Sequence, residues 1–186
     1  MATIVSGLPR SGTSLVMQML QAGGFPILAD EVRKADTDNP KGYLEWEPIK
    51  QLPENPWVIG AAEGKAVKVF SPWLSFLPPD RHYHVLFIER LIPEVIQSQN
   101  AMLRRTGDVT PISEETLERH SLDVHRWLDC QLNMRTLYLD YYRVLRDPKL
   151  VAKEIAVFLV MPLDLEEMVS VVDLKLYRHR AKLAHA

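Results

Sequence analysis

Between Gly7 and Ser14 the chain reads Gly-Leu-Pro-Arg-Ser-Gly-Thr-Ser, a turn bracketed by glycines with one guanidinium, Arg10, inside it. Ile4 and Val5 precede it and are of the apolar type that makes a buried parallel strand. Leu15, Val16, Met19 and Leu20 follow at helical spacing. Strand, Gly-bracketed turn and helix is the layout of a phosphate-binding loop. Gly7 and Gly12 permit tight backbone angles and a close approach of backbone to ligand. The first N–H groups of a helix lack intrahelical partners, and with the helix dipole they form an anion site. A nucleotide-kinase loop, G-x-x-x-x-G-K-[ST], needs Lys where this chain has Thr13. That Lys reaches the β- and γ-phosphates of a triphosphate, so its absence argues against one. The plainer alternative is a Gly-containing turn with a capping Ser or Thr.

An anion loop needs a scaffold, and the rest of the chain supplies alternating elements. Strands are expected at 57–59, 66–70, 83–88 and 136–140, with a short extended segment at 25–28. Helices are expected near 47–52 and 73–77, from Pro93 to 105, over 113–134, after Pro148 and at 164–173. The 113–134 helix would bury Leu117, Leu122, Trp127 and Leu128, and pack the thiol of Cys130. Residues 34–48 read as a long surface loop, of the kind that forms lids, and 106–112 as a second loop. Tyr43 and Trp46 in the first loop either line an acceptor site or pin the loop down. Strands apolar on both faces, alternating with helices, predict an α/β fold: a central parallel sheet flanked by helices, in one domain over 1–186. Ligands of such sheets bind at the carboxyl ends of the strands, where the loop, Lys68 and Arg90 all fall.

Composition narrows the function classes. The chain has 186 residues, 47% apolar and 25% charged, ordinary values for a globular protein. A formal charge of −2 gives no electrostatic reason to expect nucleic acid. No apolar run approaches the ~18 residues of a membrane span. Cys130 is the single cysteine, which excludes an intrachain disulfide and fits a reducing compartment. With no signal-like segment ahead of the first strand, a cytoplasmic setting is expected. His120 and His125 are five apart and do not share a helix face, so no metal is expected.

Pro-Arg-Ser-Gly-Thr-Ser after a buried strand resembles the 5′-phosphosulfate loop of the sulfotransferases, P-[KR]-S-G-T-[ST]. The Arg form is that of the tyrosylprotein and many bacterial members. Their donor is 3′-phosphoadenosine 5′-phosphosulfate (PAPS), and the product nucleotide is adenosine 3′,5′-bisphosphate (PAP). The chain is short for that family, which suggests few substrate-binding insertions. Three further segments fit. Arg90, ending a strand, with Ser98 eight positions later in a helix resembles the family's 3′-phosphate motif, with Glu94 as the acid before Val95. Lys68 to Trp73 corresponds to K-T-H-x-P, with Phe70 in place of the catalytic His. Leu137 to Tyr141 with Pro148 resembles the Y-E-D-x-x-x-x-P segment.

The resemblance implies that Arg10, Ser11, Gly12, Thr13 and Ser14 hold the 5′-phosphosulfate, and Arg90 and Ser98 the 3′-phosphate. It places Tyr141 near the adenine and makes Lys68 the cation that follows the sulfonate. The basic tail holds Lys175, Arg178, His179, Arg180 and Lys182; it is either a solvated end or closes over the 3′-phosphate through Arg178 and Arg180. Glu31, 21 positions after Arg10, has the spacing at which tyrosylprotein sulfotransferases place a catalytic Glu; alternatively it is a solvated acid or a partner of Arg33. The implied activity is sulfonate transfer from PAPS to a hydroxyl or amine acceptor. Two alternatives stay open. A kinase would use Glu89, after the apolar strand, as a magnesium-binding acid. A non-catalytic PAP- or PAPS-binding protein would keep the phosphate sites and lack the family's His.

Overall fold

In the computed structural model, which describes residues 1–37, 39–106 and 113–178, strand and helix alternate as the apolar pattern requires. The order is β1 (Ala2–Gly7), α1 (Thr13–Ala22), β2 (Ala66–Lys68), β3 (Tyr83–Glu89), α2 (Ile92–Thr106), α3 (Glu114–Asp129), β4 (Met134–Asp140), α4 (Tyr141–Arg146), α5 (Pro148–Leu159) and α6 (Leu165–Ser170). Short 3-10 helices cover Glu47–Gln51, Pro56–Ala62, Ser71–Phe76 and Leu174–Leu176.

The described residues form a four-stranded parallel sheet, ordered β2-β1-β3-β4. All six residues of β1 are buried, as suits a strand with a neighbour on each side and helices on both faces. The register sets Gly7 beside Ile88 and Glu89 beside Asp140, so the chain leaves β1, β3 and β4 at one edge. One face packs on α1, α5 and α6 through Met17, Leu20, Ile155 and Met168. The other packs on Ile49, Leu52, Ile59 and Leu128 from the 3-10 segments and α3. Residues 25–28 run extended along β2: Leu28 N–H donates to Ala66 O at 2.7 Å and Ala66 N–H to Pro26 O at 2.8 Å.

Several expectations are corrected. Trp57, Val58 and Ile59 lie in a 3-10 helix, not a strand. Pro56 presets the first helical φ, and Ile59 alone of the three is buried while Trp57 faces solvent. β2 stops at Lys68 because Ser71-Pro72 opens a 3-10 helix with Phe70 as its first flank. The helix expected to run to 134 ends at Asp129; Met134 already belongs to β4. Leu122 and Cys130 are exposed rather than packed. α4 was not anticipated: Asp140 caps it, accepting from Arg143 N–H at 2.6 Å, so the chain turns helical directly after β4. The expected 106–112 loop lies outside the described residues beyond Thr106, as do His179, Arg180 and Lys182.

Candidate functional site

The turn after β1 is tight. Ser11 N–H donates to Leu8 O at 3.0 Å, and Arg10 takes a left-handed φ of 75°, a conformation strained in a non-glycine residue. Gly12 is required twice over. Its φ is 114°, and a Cβ there would lie 2.5 Å from Tyr141 Cδ2. α1 opens with no side-chain cap. Leu15 and Val16 N–H bond the Gly12 carbonyl, which leaves Gly12, Thr13 and Ser14 as the amides of the first turn that no intrahelical carbonyl takes.

A cleft of about 360 Å³ opens at the carboxyl ends of the strands, within the range of small-molecule sites. Arg10, Gly12, Thr13 and Ser14 line it, as do Lys68, Arg90, Ser98, Tyr141 and Arg178. The sequence-derived candidates thus converge, with two exceptions. Ser11 Oγ is enclosed and finds no hydrogen-bond partner among the described residues; it lines a second cavity, with Glu89 and Asp140. Glu31 is exposed on the segment leading into the cleft and is not brought to its wall.

The cations are held by specific contacts. Arg10 Nε donates to Ser98 Oγ at 3.0 Å, and the guanidinium also lies against the Tyr43 hydroxyl; burial lowers its pKa. Arg90 Nε donates to Glu94 Oε2 at 2.9 Å and Nη1 to the Arg10 carbonyl at 3.3 Å. Its guanidinium sits 4.5 Å from the Tyr141 ring centre. Tyr177 donates its hydroxyl proton to Glu94 Oε1, and burial with that bond pushes the phenol up to about 12. The donors expected at the 5′-phosphosulfate and those expected at the 3′-phosphate therefore adjoin, with Arg10 reaching from one group to the other.

Lys68, at the end of β2, donates to Ser14 Oγ at 2.9 Å and to the Tyr43 carbonyl, and lies 3.7 Å from Glu45. Burial lowers its pKa to about 8, partly offset by Glu45. Arg178 Nη1 donates to Thr37 O at 2.6 Å. Tyr43 pins the 30–45 segment: it is buried, its hydroxyl donates to Asp36 at 2.9 Å, and Arg33 stacks 3.5 Å from its ring centre. Trp46 lines the cleft.

Sequence reasoning missed the carboxylate of Glu45. It lines the cleft, held by Arg33 Nη1 at 3.0 Å and by Lys68. Its signal was there, an acid within the predicted lid loop, but nothing in linear spacing ties residue 45 to residue 68. Several cations and helix-start amides facing one enclosed space can hold a polyanion. Among the described residues no cluster of three His, Cys, Asp or Glu side chains is arranged to hold a metal ion.

No protein-family model and no curated protein matches the sequence. Solved structures do match in shape. The chain is similar to a sulfotransferase domain from the curacin biosynthetic pathway: TM-score 0.59 and 15% identity over 92% of this chain and 77% of that one. It is also similar to mouse sulfotransferase SULT7A1, solved with PAP: TM-score 0.55 and 12% identity over 92% of this chain, which spans 62% of the mouse one. The chain therefore has the α/β fold of the sulfotransferases.

Proposed function

We propose that this protein is a PAPS-dependent sulfotransferase. The observation that carries the reading is the meeting of Arg10, Lys68, Arg90 and Ser98 in one cleft, on a sulfotransferase fold and in the strand-to-helix contexts where that family's donor segments lie. Arg10 and the Gly12–Ser14 amides hold the 5′-phosphosulfate, with hydroxyls from Thr13 and Ser14. Arg90 and Ser98 hold the 3′-phosphate, Tyr141 stacks near the adenine, and Arg178 closes over that end. Ser11 contributes by shaping the turn.

The acceptor oxygen attacks sulfur in line, an S–O bond forms, and the bond from sulfur to the bridging oxygen breaks with its electron pair left on the 5′-phosphate of PAP. Preorganised donors meet that growing charge where it develops. Lys68 and Arg10 are the cations placed for this, so the reading calls for no metal. Glu45 takes the acceptor's proton, since it is the carboxylate on the cleft wall beside Lys68; Glu31 would need the 30–45 segment to move before it could do so.

Thermal unfolding with PAP, ADP or ATP, each with and without magnesium, tests the reading. PAP at about a hundred times its dissociation constant should add about 2.7 kcal/mol of stability without metal, and ATP little. A magnesium-dependent ATP response with no PAP response would transfer the assignment to a kinase. PAP binding with no sulfonate loss across acceptors of every class would make the protein a nucleotide sensor.

A further inference from the structure

We infer that the acceptor is a neutral, flat apolar compound bearing a hydroxyl, in the simplest case a phenol, docked against Trp46, Phe70 and Trp73 at the β2 end of the cleft. This inference rests on the sulfotransferase reading above. The topology divides the cleft. Arg10, Arg90, Ser98 and Tyr141 follow β1, β3 and β4 and take the donor nucleotide, so the end beside edge strand β2 is left to the acceptor.

That end is apolar. Its wall carries Trp46, Ile49, Val69, Phe70 and Trp73. Val69 is wholly buried, whereas Phe70, the next residue, is 40% exposed, and its ring meets Trp73 edge-on at 5.5 Å. A phenylalanine held on Trp73 at the mouth of a polar cleft presents an aromatic face for a ring to cover. Apart from Lys68, which serves the sulfonate, the charges at this end occur as opposite pairs: Arg33 with Glu45 at 3.0 Å and Lys50 with Glu47 at 2.7 Å. These pairs offer an ionic acceptor no unbalanced charge.

The chemistry agrees with the surface. A phenol ionises near pKa 10, as tyrosine does, so its hydroxyl gives up a proton to a carboxylate more readily than an aliphatic alcohol would. The phenol oxygen forms the new O–S bond while its proton passes to the Glu45 carboxylate. The S–O bond to the donor's 5′-phosphate breaks onto the phosphate oxygen, giving an aryl sulfate and PAP. Lys68 keeps its proton throughout.

Full-length protein with PAPS is offered 2-naphthol, a methyl glucoside and an acidic tyrosine peptide, and PAP release is measured. Quenching of tryptophan fluorescence by 2-naphthol is followed in parallel in the PAP complex. Turnover is expected with 2-naphthol, with at least tenfold lower kcat/KM for the other two. Phe70→Ala should raise the 2-naphthol KM and its quenching constant about tenfold and Phe70→Tyr should restore both, while the PAP thermal shift stays as in the parent. The inference is overturned if the glucoside or peptide is preferred, if 2-naphthol neither turns over nor quenches, or if Phe70→Ala leaves KM unchanged. A normal PAP shift alongside any of these sinks the acceptor class alone; loss of the PAP shift in the parent protein sinks the sulfotransferase reading instead.

Discussion

Lys68 carries a charge that its surroundings oppose. Burial brings its pKa from 10.5 to about 8. Between those two values the unfolded chain binds the extra proton and the folded one does not. Stability of the ligand-free protein from this group therefore rises with pH across that window and levels off above it. Ligand binding runs the other way, because an anion prefers the ammonium form. The dissociation constant for PAP should weaken as pH rises through about 8, by up to about tenfold per unit, and Lys68→Met should flatten the profile. A profile in the parent that stays flat to about pH 9.5 would show that the ammonium does not meet the nucleotide. The two carboxylates can be told apart as well. Glu45→Gln should lower turnover of a found acceptor by about 10²–10⁴-fold with PAP affinity kept, the usual contribution of a general base, while Glu31→Gln should leave both near the parent. The reverse result would return the base to Glu31. Arg10, Lys68, Arg90 and Ser98 were legible in the sequence because each sits at a strand end or on the helix behind it, where the parallel sheet gathers side chains. Glu45 was not, because its place depends on how an irregular segment crosses the cleft.

The segment from Asp30 to Glu45 is the element whose behaviour matters most. Its described residues lie in no strand or helix and are tied down by turn hydrogen bonds, such as Asp30 N–H to Glu45 O at 2.8 Å, and by side chains. The Asp30 carboxylate accepts from Val32 N–H at 3.0 Å and Glu47 N–H at 2.6 Å, Lys41 donates to Val171 O at 2.7 Å, and Tyr43 is held through Asp36. The Tyr43 carbonyl takes hydrogen bonds from Lys68 and Ser14, two donors that the proposed function assigns to the phosphosulfate. Asp36→Ala removes one tether, worth about 1 kcal/mol. It should speed PAP association and tighten PAP about fivefold in stopped-flow and equilibrium titrations. Unchanged rates would show that the segment does not compete with the nucleotide. Its existence as a long loop could be read from Pro40, Gly42 and clustered acids. Its path could not, since that is set by contacts to residues far along the chain. The same limit explains Trp57 to Ile59: three apolar residues suit a strand or a helical turn equally, and Pro56 decided between them.

At the scale of the molecule, the parallel sheet with helices on both faces followed from the alternation of apolar runs, whereas the strand order did not, because nothing local says which runs pair. That order has a consequence for assembly. β1 is the earliest strand in the chain, yet it lies inside the sheet, bonded to Ala66–Lys68 on one side and Tyr83–Glu89 on the other. The turn behind it is complete only when Ile88 closes on Gly7 and Tyr141 closes on Gly12. Neither partner exists until long after the turn itself has been synthesised. During translation the first strand must therefore wait, apolar and without both of its neighbours, until Tyr83–Glu89 has been made, and the turn until Tyr141 has, a delay of the kind that slows folding of non-local topologies and invites premature association. The Gly-bracketed turn, written near the beginning of the sequence, is among the last parts of the protein to take its final shape.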